Sequence, residues 1–142
     1  MKIYNEKVVL IQLFGTWCPN SYDQTNYLVD WYSQNQQTDV EILAVSYEVK
    51  YSKEYGLKRI EDYKQVMNIP YEVVLGGRVS KEQAAMAFPF IKRLEAFPTL
   101  IILDKKGYAR YVNSYFLGPA TGDYYDSFKV RLDNIVQELL EE

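Results

Sequence analysis

Apolar and polar positions fall in blocks along this chain, and the period changes from block to block. Val8-Val9-Leu10-Ile11-Gln12-Leu13-Phe14 is nearly all apolar and rich in β-branched residues. A short run of that kind fits a strand covered on both faces, as in parallel sheet. From Pro19 to about Gln34 the spacing turns helical, and Tyr27, Leu28, Trp31 and Tyr32 form one face that should meet the sheet. The polar stretch Asn35 to Asp39 reads as a loop, and Val40 to Tyr47 as a second strand. A strand–helix–strand unit crosses over right-handed, which makes the two strands parallel.

Tyr51 to Met67 repeats Leu57, Ile60, Tyr63 and Met67 at helical spacing. Ile69-Pro70 should end that helix, because proline disfavours helical geometry in the residue before it. Tyr71 to Leu75 reads as a short strand and Gly76-Gly77 as a turn. Ser80, with Gln83 three residues on, reads as the N-cap of a helix carrying Ala84, Ala85, Ala87 and Phe88 and limited by Pro89. Phe97-Pro98-Thr99-Leu100-Ile101-Ile102-Leu103 is a strand headed by proline, and Asp104 to Gly107 a hairpin turn into Tyr108 to Tyr115. Gly118 to Gly122 reads as a loop. Asp123 to Leu140 closes the chain as a helix with Phe128, Leu132, Ile135, Val136 and Leu139 on one face. The pattern is α/β, without repeats or linkers. A single domain over residues 1–142 is expected, large enough to bury roughly 68–70% of its unfolded surface without metal or disulfide staples.

Composition narrows the function. Sixteen basic and 19 acidic residues give a net charge of −3, without the basic stripe that tracks nucleic-acid phosphates. Histidine is absent, which excludes imidazole metal sites and Ser-His or Cys-His catalysis; no metal or cofactor is expected. No apolar run approaches the ~18–20 residues of a membrane span. Met1 to Lys7 lacks the apolar core of a signal peptide, so the chain reads as cytoplasmic or as starting after a targeting segment. The 14 tyrosines read as amphipathic packing rims ahead of a peptide-binding surface.

The candidate chemistry sits in Trp17-Cys18-Pro19-Asn20-Ser21. The first strand ends in a turn at Gly15-Thr16 and delivers the chain's only cysteine to the first turn of a helix. N–H groups there lack intrahelical partners and carry partial positive charge. A thiolate in that position is stabilised and becomes a nucleophile. Pro19 fits the first helical position, where its missing N–H costs nothing. A lone cysteine is commonly a small buried hydrophobe, but its place between Trp17 and Pro19 favours reactivity. One cysteine closes no intrachain disulfide. A solvent-accessible Cys18 in an otherwise monomeric protein should form a Cys18–Cys18 dimer or carry a small-thiol adduct under oxidant.

These residues resemble the thioredoxin fold, specifically thiol-disulfide oxidoreductases of the TlpA/ResA type. Gly15-Thr16-Trp17-Cys18-Pro19 and Phe97-Pro98-Thr99 carry the likeness, each in its topological slot, and it covers essentially the whole chain. The implied fold is a central mixed sheet with helices on both faces. A strand and helix are inserted at about residues 70–91, before the Pro98 strand. The resemblance implies that Pro98 is cis and lies against Cys18, and that Phe97, Pro98 and Thr99 offer backbone to an extended partner segment. Without the Cys18 motif, Pro98 would read only as a strand start. An extracytoplasmic or periplasmic setting, protein or peptide disulfide partners and an upstream reductant are implied as well.

Departures from the family pattern matter. A second cysteine belongs three residues after the first, where this chain has Ser21. Ser21 can hydrogen-bond a Cys18 thiolate but cannot resolve a mixed disulfide, so the reaction should stop there. Either an exchanged cysteine or a monothiol protein served by an external thiol such as glutathione fits Ser21. Thioredoxins keep a buried acid where Gln12 stands, and many TlpA-type relatives a glutamate where Gln24 stands. The proton-handling carboxylate is therefore missing or relocated, with Asp23, Asp30 and Glu48 as stand-ins. A peroxiredoxin-type peroxidase is disfavoured because Gly15 replaces the expected threonine, and copper chaperoning needs paired cysteines and a histidine. The competing reading is a non-catalytic module that binds extended peptides at the Pro98 edge, with Cys18 incidental.

Overall fold

The computed structural model describes residues 4–50, 52–78, 88, 96–114 and 116–142. Five strands form one mixed sheet in the order β3-β2-β1-β4-β5. Strand β1 (Val8–Phe14) lies in the middle, parallel to β2 (Val40–Glu48) and antiparallel to β4 (Thr99–Leu103). All seven residues of β1 are buried, which explains a run that is apolar apart from Gln12. Strand β3 (Glu72–Arg78) adds parallel to β2, and β5 (Ala109–Asn113) antiparallel to β4.

Alternation along the strands divides the core between two faces. Val8, Leu10 and Phe14 with Ile42 and Ala44 meet Leu28 and Trp31 of helix α1 (Pro19–Gln34). Met67 of helix α2 (Lys53–Met67) and Leu132, Val136 and Leu139 of helix α3 (Asp123–Leu140) join that cluster. The opposite face gathers Val9, Ile11, Leu13, Val45, Tyr47 and Ile101, with Tyr4, Phe88 and Phe97 against them.

Helix α2 begins later than the periodicity suggests. Ser52 is its N-cap, accepting the Tyr55 N–H, and the helix starts at Lys53. It ends at Asn68, a left-handed cap with φ 52°, one residue before Ile69-Pro70. Gly76-Gly77 is not a turn. Strand β3 runs through both glycines to Arg78, with a register shift opposite Ser46 and Tyr47. A Cβ on Gly76 would lie 2.6 Å from Cζ of Tyr47, so glycine here makes room for a ring. Strand β4 starts at Thr99, with Phe97 and Pro98 in the bend before it, and β5 is confined to Ala109–Asn113. The loop at Gly118 to Gly122 contains a short 3-10 turn, Pro119–Thr121. The helix expected from Ser80 to Pro89 lies outside the described residues apart from Phe88.

Candidate active site

Cys18 is the N-cap of α1, with φ −101° and ψ 119°, and Pro19 takes the first helical position. The turn before it is closed by the Cys18 N–H, which donates to the Gly15 carbonyl at 3.1 Å. Gly15 must be glycine for a local reason: a Cβ there would lie 2.1 Å from Nε1 of Trp17. The thiol is partly exposed, and its Sγ lies 3.8 Å from the carbonyl oxygen of Phe97. The Phe97–Pro98 peptide is cis. Residues 79 positions apart in sequence thus share one surface at the end of β1.

Trp17 stands 40% exposed beside the sulfur and still keeps its indole N–H paired, donating to the Tyr47 carbonyl at 2.8 Å. Its ring meets Phe97 edge-on at 6.3 Å, and Phe97 in turn packs on Tyr47 at 5.4 Å. The rim around Cys18 is therefore aromatic and fixed. Pro19 and Asn20 are exposed on the first turn of α1. Thr99 is fully buried; its hydroxyl donates to the Ala96 carbonyl at 2.6 Å and lies 2.8 Å from Ser114 Oγ.

Ser21 is fully buried, and its Oγ accepts the Gly15 N–H at 3.4 Å. The serine thus props the turn instead of pointing its hydroxyl at Cys18. Behind it, Gln12 Nε2 donates to Thr25 Oγ1 at 3.2 Å, and the Tyr63 hydroxyl reaches the same oxygen at 3.3 Å. Burial pushes the Tyr63 phenol up to about 12 against the opposing Thr25 hydrogen bond, with nearby Cys18, Tyr22 and Glu48 adding to the rise. Gln24 is also buried, and its Oε1 has no hydrogen-bond partner.

The three stand-in carboxylates have different fates. Asp30 is exposed on α1, and Asp23 lies against Gly118. Glu48 alone reaches the active-site turn, and it is 1% exposed. It accepts from the Thr16 N–H at 3.1 Å, from the Thr16 hydroxyl and from the Ser46 hydroxyl. Arg59 completes the set, with Nε 3.9 Å from Glu48 and 3.0 Å from Thr16 Oγ1. Its terminal nitrogen also donates to the Thr16 carbonyl at 3.4 Å. Glu48 is therefore committed to holding the turn. Sequence reasoning missed Tyr47, Arg59, Tyr63 and Thr25. The trace they leave is a glutamine inside the apolar β1 run and an acid at the end of an apolar β2.

No group of His, Cys, Asp and Glu suited to holding a metal occurs among the described residues, and none of their helices is long and apolar enough to cross a membrane. Residues 1–112 match the AhpC/TSA family. Solved structures with the same fold include a thiol:disulfide interchange protein of the thioredoxin family from Chlorobium tepidum TLS, at 18% identity and TM-score 0.68 over 96% of this chain and 82% of that one. A thiol-disulfide isomerase from Corynebacterium glutamicum matches at 15% identity and TM-score 0.73, over 98% and 84%. A secreted disulfide oxidoreductase from Mycobacterium tuberculosis matches at 9% identity and TM-score 0.60, over 81% and 74%. No curated protein sequence matches the chain.

Proposed function

The chain belongs to the AhpC/TSA family, and within it we propose that it is a thiol-disulfide oxidoreductase whose nucleophile is Cys18. One observation carries this reading: a partly exposed sulfur at the start of α1, 3.8 Å from the Phe97 carbonyl beside a cis proline. In the proposed step the Cys18 thiolate attacks one sulfur of a partner disulfide. A Cys18–partner bond forms, the partner's own S–S bond breaks, and the departing half leaves as a thiolate. Free N–H groups at the helix start stabilise the attacking sulfur. Trp17 and Phe97 give the partner an aromatic rim, and the backbone of Phe97, Pro98 and Thr99 gives an extended segment a place to pair.

The reaction arrests at the mixed disulfide because Ser21 has no thiol with which to resolve it. An external thiol or reductant then returns Cys18 to its free form. We read residues 1–142 as one thioredoxin-like domain of TlpA/ResA type, monomeric until oxidant links two copies through Cys18. Its setting is extracytoplasmic, in keeping with a neighbour described as secreted.

Intact mass after incubation with a peptide disulfide tests the reading. One peptide adduct per chain is expected, released by dithiothreitol and absent in Cys18→Ala. Ser21→Cys should convert the arrest into turnover. The two sulfurs, one helical turn apart, would close a disulfide whose Cβ atoms must lie roughly 3.5–4.5 Å apart. A wild-type chain that takes no adduct, while binding the peptide as well as Cys18→Ala does, would leave the non-catalytic binding module as the function.

A further inference from the structure

Between the start of α2 and β3 lies a cavity of about 230 Å³, lined among the described residues by Lys50, Ser52, Lys53, Leu75, Gly77 and Arg78. Half of these residues are cations and none is acidic, although the chain carries a net charge of −3. Among the described residues no ion pair engages Lys50, Lys53 or Arg78. The carboxylate opposite Arg78 in the strand pairing is Glu48, already occupied by Thr16, Ser46 and Arg59. Lys50 is steadied over the Tyr55 ring, 5.0 Å from its centre. Ser52 caps α2 at the cavity wall, so the positive end of that helix adds to the field of the three cations. Like charges gathered without a counter-ion repel one another, and a bound anion relieves that repulsion.

The location gives the anion a purpose. Ligands of open α/β sheets bind outside the carboxyl ends of the strands, and this cavity lies at that end of the sheet, between Lys50 and Ser52 beyond β2 and the last residues of β3. Gly77 of its lining pairs with Tyr47, whose carbonyl holds the Trp17 indole. Lys50 follows Tyr47 by three residues, at most about 10 Å of chain. We propose that the cavity is an anion subsite of the Cys18 reaction, receiving a carboxylate that the peptide or protein partner carries a few residues from its attacked cysteine. The proposal rests on the thiol-disulfide reading above.

The test uses two peptides whose cysteine is activated as a thionitrobenzoate mixed disulfide. One has glutamate a few residues from that cysteine and the other has glutamine there. Cys18 attacks the peptide sulfur, the new S–S bond joins chain and peptide, and thionitrobenzoate leaves with the electron pair and is read by its absorbance. Wild-type protein should react roughly fivefold faster with the glutamate peptide, the scale of a few half-exposed charge pairs. The Lys53→Gln/Arg78→Gln double variant should treat the two peptides alike and keep the wild-type rate with the glutamine peptide. Equal rates for both peptides on the wild-type chain overturn the subsite and leave the thiol chemistry standing. A Cys18 inert to both peptides overturns the redox reading instead. The subsite is then judged by equilibrium binding of the same peptides with serine for cysteine: a glutamate preference lost in the double variant supports it, and equal affinity refutes it. Inorganic phosphate that binds more tightly than the glutamate peptide assigns the cavity to a free anion and overturns the partner assignment.

Discussion

Removing the Glu48 carboxylate should unlatch the turn that presents Cys18. In Glu48→Ala the Thr16 N–H, the Thr16 hydroxyl and the Ser46 hydroxyl all lose their acceptor. Arg59 suffers less, because it is 43% exposed and keeps the Thr16 carbonyl. Each charge-assisted hydrogen bond contributes about 1.5–3 kcal/mol, and each buried donor left bare costs about 1–3 kcal/mol. Against that stands the desolvation of a carboxylate, several kcal/mol, which the alanine no longer incurs. The balance is a loss of about 3 kcal/mol. Glu48→Gln keeps one acceptor and the side-chain shape, so its loss should be about 1 kcal/mol. At ~3–4 °C per kcal/mol for a chain of this size, Tm should drop by roughly 10 °C in the first variant and roughly 4 °C in the second. Calorimetry gives the stability, and the alkylation rate of Cys18 well below Tm reports the turn; both should fall in the order wild type, Gln, Ala. A Glu48→Ala protein within about 0.5 kcal/mol of wild type, the range of an ordinary surface change, would refute the latch. So would an alanine variant no weaker than the glutamine one.

Other perturbations have directions fixed by the structure. Gly76→Ala places a methyl 2.6 Å from the Tyr47 ring, which packs on Phe97; it should cost about 1–3 kcal/mol in denaturant melts and shift the fluorescence of Trp17, which hangs from the Tyr47 carbonyl. The Asp104 carboxyl is pushed up by burial, but the Tyr108 and Lys106 N–H groups and the Arg110 guanidinium outweigh that and hold it below its ordinary value. Its stabilisation is therefore complete above the ordinary carboxylate range near pH 4 and is lost as pH falls through the lowered value. Asp104→Asn should accordingly melt below wild type at neutral pH, with the gap closing in acid.

The frame of the protein was legible because its strongest patterns are long and local. Six apolar residues around Gln12 in β1 and the apolar face of α3 each announce one element type, and the β2 and α1 limits follow from the loop between them. Gly76-Gly77 misled because two glycines usually mark a turn, whereas here the smallest residue makes room for Tyr47 across the strand pair. The proposed nucleophile was legible for a similar reason: Trp17, Cys18 and Pro19 are adjacent, so one turn suggests the chemistry. Its supports were not. Glu48, Tyr47 and Arg59 reach Thr16 and Trp17 across 30 to 43 residues, and no local pattern encodes such a meeting. Gln12 is the exception, since an amide inside an apolar strand requires a buried polar partner, and Thr25 provides it.

The second-order rate of Cys18 with iodoacetamide at neutral pH, set against a free cysteine peptide and against the denatured chain, tests the central claim most directly. A thiol activated by its place at the start of α1 should react about tenfold faster than either reference. A rate equal to or below that of the free peptide, in a chain that still melts cooperatively, would contradict it.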